Sequence, residues 1–308
     1  YFESALEDCR ICPRCCGVNR LKGEKGFCGA GDSVQVFSSG PHHGEEPPVS
    51  GRLGSGTVFF SRCTLRCIYC QNYPFSQGAE GAAYDNDGLA SIFREIGAVG
   101  CHNINLVSPT PWLPMILNAF ERIRSVPWSA PVVYNTSGYE RADIVERLEG
   151  MVDIYLPDLR YASDESALEG SGVSDYVGTA RSAIREMWRQ KGRLQIDDEG
   201  VAQRGVICRI LVLPGRSWEA IESLRWIAEE LGTELAISLM SQYTPAYRAS
   251  HMPGWDRRLS TWEYAEVRDE FQRLGFENGW LQGFGGTRND LLGFRMKKAP
   301  AAPASDKG

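Results

Sequence analysis

The 308-residue sequence lacks several features that define other classes of protein. No stretch approaches the ~20 consecutive apolar residues that a membrane-spanning helix requires, so we expect no membrane partner. The first residues, YFESALEDC, lack the basic and apolar regions of a signal peptide. The formal net charge is -6, whereas nucleic-acid binding requires a clustered basic surface. These absences predict a cytoplasmic protein with no nucleic-acid partner.

Histidine is also scarce, and the four histidines are scattered, so loop or packing roles are expected for them. Cysteine, by contrast, is abundant, with ten residues. Most of the cysteines fall into two tight groups, which favours metal ligation in a reducing compartment over disulfides. Cys101 and Cys208 lie outside these groups and are expected to be small buried hydrophobic residues.

The second cysteine group is the most informative feature of the sequence. Cys63, Cys67 and Cys70 lie in the run CTLRCIYC, directly after an apolar strand pattern. Three thiolates bind only three irons of a 4Fe-4S cluster and leave the fourth iron open, whereas structural sites usually supply four protein ligands. The spacing therefore predicts a reactive iron-sulfur centre, with a zinc knuckle or unligated buried thiols as the alternatives.

Strand and helix patterns alternate six times between residues 57 and 273. Strands are predicted at 57–60, 103–107, 132–135, 152–156, 206–213 and 235–239, and helices at 89–99, 113–123, 142–148, 176–188, 218–230 and 261–273. The strands are almost continuously apolar, as expected when helices cover both faces of a sheet. The pattern predicts an α/β fold with a parallel sheet and right-handed crossovers, to which residues 280–282 add a short closing strand.

The cysteine motif resembles the signature of the radical S-adenosylmethionine (SAM) superfamily, C-x3-C-x-aromatic-C, with Tyr69 at the aromatic position. The strings GEEPPVSG, GSGTVFFSRC and CIYCQNYPFSQ are similar to proteins related to the pyruvate formate-lyase activating enzyme. The resemblance extends from about Cys9 to about Phe284 and implies a partial (βα)6 TIM-like barrel. It also implies that a reduced 4Fe-4S cluster cleaves SAM to a 5'-deoxyadenosyl radical, which abstracts hydrogen from a substrate.

The predicted organisation has three parts. Residues 1–54 form a cysteine-rich metal-binding cap and a linker, in which residues 32–54 are expected to be a loop because of their prolines. Residues 55–290 form the barrel. Residues 291–308 are Ala/Pro-rich and polar, so a disordered tail is expected.

Loops after the predicted strands supply candidate contacts to SAM, because catalytic groups of such barrels follow the strand C-termini. Tyr69 is implied to pack beside the adenine. Many relatives carry a Gly-Gly-Glu-Pro-like turn after the second strand for the methionine amino group. Here that position reads SPTP, so Ser108 and Thr110 are assigned to this contact. The similar residues 44–47 precede the first barrel strand and are not expected to form this turn.

Two further loops carry polar side chains. Asn135 and Ser137 follow the third strand and are predicted to reach the ribose or the carboxylate of SAM, with turn or helix-capping roles as the alternative. Asp158 and Arg160 follow the fourth strand, in a position similar to the Asp-x-Lys of activating enzymes. Arg160 can form a two-pronged bond to a carboxylate, and the alternative for the pair is solvent-facing charges.

The first cysteine group has the spacing C-x2-C-x3-C-x11-C, formed by Cys9, Cys12, Cys16 and Cys28, with Cys15 as an alternative to Cys16. Four thiolates would close a coordination sphere, so the predicted second metal site is structural or relays electrons. An iron-sulfur cluster and zinc remain the two choices.

Three functions are compatible with these patterns. The first is a SAM-dependent radical enzyme that abstracts hydrogen from a protein or peptide backbone, as glycyl-radical activating enzymes do. The second applies the same chemistry to a small molecule or a peptide side chain. The third is a metal-stabilised binding protein without turnover. The resemblance also implies an electron donor such as flavodoxin or ferredoxin.

Overall fold

The computed structural model describes residue 2, residues 4–123 and residues 130–284. The predicted disordered tail at 291–308 lies outside these residues. Within the described ranges the chain forms ten strands: β1 Val34–His42, β2 Ser55–Phe60, β3 Ala82–Tyr84, β4 Ile104–Val107, β5 Val132–Thr136, β6 Ile154–Pro157, β7 Gln195–Ile196, β8 Ala202–Leu211, β9 Ala236–Met240 and β10 Gly279–Leu281.

Nine α-helices lie in the same described ranges: α1 Pro47–Ser50, α2 Tyr73–Ser76, α3 Asn86–Val99, α4 Leu113–Ile123, α5 Ala142–Glu146, α6 Asp164–Ser171, α7 Tyr176–Lys191, α8 Ser217–Glu230 and α9 Thr261–Arg273. The last of these begins with a capping box, in which Ser260 and Glu263 each bond the other's backbone N–H. None of the helices in the described part of the chain combines the length and the apolar character that crossing a bilayer requires.

The sheet confirms the predicted α/β fold. Its strand order is β10-β9-β8-β6-β5-β4-β2-β1-β3. From β2 to β10 neighbouring strands on this path are parallel and follow the order of the chain. Each crossover therefore connects two strands that lie side by side in the sheet. Strands β1 and β3 extend the β2 edge in the antiparallel sense. All six predicted strand-helix units are present, and β10 is the predicted closing strand.

The expectation of a loop at residues 32–54 is wrong, because this segment contains β1 and α1. Val34 and Val36 are buried in alternation with half-buried neighbours, and this pattern supports a strand beside β2. Proline is tolerated in β1 because β3 pairs only with residues 34–36, which leaves the strand edge at Pro41 unpaired. Four smaller elements, α2, β3, α6 and β7, were also not predicted.

Residues 44–50, which we call the plug segment, fill the inner side of the curved sheet. The long helices pack their buried residues into two clusters on the outer face. A separate cluster joins Val49 of α1 to inward-facing residues of β5, β6, β8 and β9. Asn103 fixes the plug by donating its side-chain amide to the Val49 carbonyl at 2.7 Å. The plug therefore takes the place of core side chains inside the partial barrel.

We expect Val49→Ala to destabilise the protein by about 2 kcal/mol, because the substitution removes two buried carbon atoms and leaves a cavity. Val49 has no exposed surface, whereas Val99, at the end of α3, is 63% exposed. The matched control Val99→Ala should therefore leave the free energy of unfolding nearly unchanged. Urea unfolding of both variants measures the difference. Equal stabilities would contradict the role of the plug in the core.

Candidate functional site

The three-cysteine loop begins directly after β2, at the carboxyl end of the parallel strands. Arg62 starts the loop in the left-handed region, with φ of 75°, which turns the chain sharply out of the strand. The loop is then tied to α6, since the backbone N–H of Arg66 donates to Ser171 O and that of Ile68 donates to Gly170 O. These bonds hold Cys63, Cys67 and Cys70 against the mouth of the barrel.

Each of the three sulfur atoms has a hydrogen-bonding neighbour. Ser171 Oγ lies 2.9 Å from Cys67 Sγ, and Ser76 Oγ lies 3.3 Å from Cys70 Sγ. The backbone N–H of Leu65 donates to Cys63 Sγ at 3.5 Å. Donors to sulfur stabilise ligating thiolates, so the surroundings of the three cysteines suit metal ligation.

Without a metal ion, the electrostatics of the loop favour protonated thiols. Burial and the neighbouring Cys67 together raise the pKa of the Cys63 thiol to about 12 and that of Cys70 to about 11. Arg160 opposes these shifts, and its Nη1 donates to Cys67 Sγ at 3.2 Å. Among the residues that the structure describes, no three His, Cys, Asp or Glu side chains are arranged to hold a metal ion. The thiols instead bond their neighbours, so metal binding would require them to turn toward one another.

A cavity of about 200 Å³ opens beside this loop. Its walls include Tyr69 and Cys70 from the loop, Asp158 and Arg160 after β6, and Arg209 on β8. Three of the predicted SAM-binding residues, Tyr69, Asp158 and Arg160, thus line one space. The Tyr69 ring is held in place by stacking on Trp255, at a centroid distance of 5.4 Å.

Asp158 is bonded to two guanidinium groups. Arg209 Nε donates to Asp158 Oδ1 at 2.7 Å, and Arg160 Nη2 donates to Asp158 Oδ2 at 2.5 Å. Burial alone would raise the pKa of Asp158, but the two arginines outweigh it and hold this pKa below its usual value. The alternative of solvent-facing charges does not describe this pair, since Asp158 is buried.

Asn135 joins the same network from β5. Its Oδ1 accepts from Arg209 Nη2 at 2.6 Å, and its Nδ2 donates to Glu45 Oε1 at 3.3 Å. Glu45 also accepts from Asn105 on β4 at 3.0 Å.

Glu45 is a site residue that reasoning from the sequence missed. Its loop precedes β2, so the order of the elements placed it outside the barrel mouth. The insertion of the plug segment brings it inside. The only signal in the sequence was the pair Glu45-Glu46 next to two prolines.

Ser108, Thr110 and Ser137 do not line this cavity. Thr110 is buried and donates to Glu140 Oε1 at 2.5 Å. Ser108 lies in the left-handed region, and its N–H donates to Asn135 O at 2.9 Å. The Ser137 carbonyl accepts from Tyr176 at 2.8 Å. In the described conformation these groups bond to the protein itself.

The cap cysteines influence one another electrostatically. Burial raises the pKa of the Cys28 thiol, and neighbouring Cys9 and Cys16 raise it further. Cys12 likewise has a raised pKa through burial, with Cys28 and Cys9 as neighbours. Cys15 and Cys16 are both exposed. Arg141 Nη1 donates to Cys15 Sγ at 3.5 Å, and the backbone N–H of Phe27, the residue before Cys28, donates to Cys16 Sγ at 3.4 Å.

The cap is bound to the three-cysteine loop. Arg14 donates to Thr64 O at 3.2 Å and to Gly172 O at 2.9 Å. In the other direction, Arg66 Nη2 donates to Phe27 O at 2.7 Å. The Arg14 guanidinium stacks on the Phe27 ring, with its Cζ 3.6 Å from the ring centroid. The two cysteine groups are therefore held on adjoining parts of the molecule.

No protein-family model matches the chain. Among curated proteins it is similar to the uncharacterized protein MJ0674 of Methanocaldococcus jannaschii, with 28% identity over 272 residues that cover 86% of this chain and 73% of that protein.

Solved structures give distant likenesses. Native anSMEcpe with bound AdoMet matches with a TM-score of 0.45 and 12% identity, over 70% of this chain and 59% of that one. SuiB of Streptococcus suis matches with a TM-score of 0.43 and 14% identity, over 72% of this chain and 47% of SuiB. The radical S-adenosylmethionine methyltransferase TsrM from Kitasatospora setae matches with a TM-score of 0.39 and 14% identity, over 58% of this chain and 34% of TsrM. The chain covers less than two thirds of each of these proteins. Scores this low identify no function.

Glu140 should make the stability of the protein depend on pH. Burial raises its pKa to about 7, while Thr110 and Thr136 donate to its Oε1. A raised pKa in the folded state means that the unfolded chain ionises first, so stability falls as the pH rises from about 4.5 to 7. We expect the variant Glu140→Gln to gain about 2 to 3 kcal/mol relative to the wild type between pH 5 and pH 8.

Urea unfolding at both pH values measures this change. The comparison uses the change with pH rather than the absolute stability, because the glutamine amide also alters local hydrogen bonding. A difference between the two proteins that stays constant from pH 5 to pH 8 would contradict a buried titrating Glu140.

Proposed function

We propose that this chain is a radical SAM enzyme in which Cys63, Cys67 and Cys70 hold a 4Fe-4S cluster. The observation that carries the proposal is the position of the three cysteines, at the carboxyl end of β2 and beside a charged cavity of the partial barrel. When bound and reduced, the cluster supplies the electron that cleaves SAM and yields a 5'-deoxyadenosyl radical.

The chain's own residues would bind and orient SAM. Arg160 lines the cavity, and its guanidinium suits the methionine carboxylate once Nη1 leaves Cys67 Sγ for the cofactor. Asp158 is held ionised by its two arginines and suits hydroxyl or ammonium donors of the cofactor. Tyr69 lines the same cavity and would contact the adenine. Asn135 holds Arg209 in place. The Thr110 hydroxyl would reach SAM only after leaving Glu140, and Ser108 and Ser137 lie outside the cavity lining.

The substrate is proposed to lose a hydrogen atom to the radical. A protein or peptide backbone is the substrate that the resemblance to activating enzymes suggests. A small molecule or a peptide side chain is favoured by one observation, a second cavity of about 320 Å³ inside the barrel, next to the first. Both substrates require the same radical chemistry.

The cap would add a second metal site at Cys9, Cys12, Cys16 and Cys28, filled by an iron-sulfur cluster or by zinc. Four thiolates leave no open coordination position, so the proposed role is structural or electron-relaying. Contact between the cap and the three-cysteine loop through Arg14 and Arg66 supports either role. A flavodoxin or ferredoxin in the cytoplasm is the proposed electron donor.

Cys67→Ala should abolish both iron binding at the three-cysteine loop and SAM cleavage, because two thiolates cannot retain the cluster. Cys101→Ala is the matched control, since Cys101 is buried but lies outside both cysteine groups. The measurement is anaerobic iron and sulfide analysis, followed by chromatography for 5'-deoxyadenosine after addition of dithionite and SAM. The control should retain both iron and product.

Full 5'-deoxyadenosine formation by Cys67→Ala would contradict the cluster assignment. Absence of product from the wild-type chain, with zinc at both sites, would favour a non-catalytic binding protein instead. About four irons with product would indicate zinc in the cap, and about eight would indicate a second cluster.

Ser171→Ala should lower the midpoint potential of the cluster. The Ser171 hydroxyl lies 2.9 Å from Cys67 Sγ and must donate once this sulfur is a thiolate ligand. Such a bond stabilises the reduced, more negative cluster, so its loss favours the oxidised form. A redox titration followed by electron paramagnetic resonance measures the potential. Ser166→Ala on the same helix α6 is the control, and an equal shift in both variants would contradict a specific effect of Ser171.

A further inference from the structure

The second cavity lies inside the barrel, between the plug segment and β10. Its volume is about 320 Å³. It shares three lining residues with the cysteine-side cavity, namely Arg209, Met240 and Gln242. A molecule in the second cavity would therefore lie next to the proposed SAM site.

Arg209 stands between the two cavities and is bonded at each of its three nitrogens. Its Nε bonds Asp158 at 2.7 Å, its Nη2 bonds Asn135 at 2.6 Å, and its Nη1 lies 3.4 Å from Glu45 Oε2. Two of these partners are carboxylates, which offset the positive charge of the guanidinium. Arg209 therefore does not make the second cavity an anion site.

Glu46 lines the cavity on the plug side with an incompletely satisfied carboxylate. The residue is only 8% exposed, and its Oε2 is buried without a hydrogen-bond partner among the residues that the structure describes. A buried carboxylate oxygen without a donor is costly. A donor supplied by a ligand would remove this cost.

The acidic groups around the two cavities outnumber the basic ones. Three buried carboxyl groups, those of Glu45, Glu46 and Asp158, face two guanidinium groups, those of Arg160 and Arg209. Burial raises the pKa of Glu45 and of Glu46, and a cation beside Glu46 would oppose this shift and stabilise its ionised form. Arg160 is engaged by Asp158 and Cys67, away from Glu46.

Trp280 on β10 completes the site. It lines the same cavity as Glu46 and packs against the inner cluster of the barrel. An aromatic ring beside a carboxylate is the combination that binds ammonium groups, through cation–π attraction and an ion pair.

We propose that the cavity formed by Glu46, Gln242, Trp280 and Gln282 binds a protonated amine of the substrate. The existence of the amine site depends only on these residues. Its assignment to the substrate rests on the proposed radical function. The substrate class would then be an amine-bearing small molecule, or a peptide that inserts an ammonium group into the barrel.

The test measures binding of n-butylammonium to the full chain by saturation-transfer NMR and titration. Neutral n-butanol and anionic butyrate of the same length are the control ligands. We expect n-butylammonium to bind in preference to both. Glu46→Gln should weaken its binding at least tenfold, whereas the exposed control Glu229→Gln should not.

A second variant tests the amine site in case Glu46→Gln fails to fold. Trp280→Leu should weaken n-butylammonium binding several-fold while leaving the thermal unfolding temperature close to that of Glu229→Gln. Equal binding of n-butanol, preference for butyrate, or unchanged affinity in a folded Glu46→Gln protein would each overturn the amine site.

The two proposals fail in different measurements, because amine binding requires neither the cluster nor SAM. Binding of n-butylammonium without 5'-deoxyadenosine formation would retain the amine site and overturn the radical function. The reverse result would retain the radical function and overturn the amine site.

Discussion

The geometry of the candidate site depends on one side chain, Arg209, and on the three hydrogen bonds that it donates inside the barrel. Through this side chain β8 is joined to Asn135 on β5, to Asp158 after β6 and to Glu45 of the plug segment. A buried guanidinium is tolerated only when its donors are satisfied by oxygen atoms, and here those oxygens come from three separate elements. The charge of Arg209 therefore fixes where the carboxylates of the site stand, and the two cavities lie on either side of it.

Much of this architecture could be predicted because it depends on patterns among residues that are close in sequence. The six strand-helix units follow from apolar runs and helical periodicity, and helix α9 was predicted at its observed bounds, Thr261–Arg273. The three-cysteine loop could be located because its residues are adjacent in sequence and follow a strand directly. Asp158 and Arg160 could be paired with that loop because the carboxyl ends of parallel strands meet at one edge.

The rest depends on contacts between distant parts of the chain. The sequence of residues 44–50 does not indicate that they enter the barrel. Val49 is buried with Ala236, 187 residues later in the chain, and Glu45 is bonded to Arg209, 164 residues later. Thr110 follows a strand, as expected of a site residue, yet the buried Glu140 engages its hydroxyl. The sequence shows that such side chains are polar, and only the fold decides which partner each one takes.

The plug segment also bears on how the barrel can assemble. It lies between β1 and β2, so it precedes all the parallel strands in the chain and is synthesised before them. The inner contents of the barrel are thus tethered beside β2 when β8, β9 and β10 arrive. The later strands can close around this segment, and no segment has to be threaded into a finished barrel.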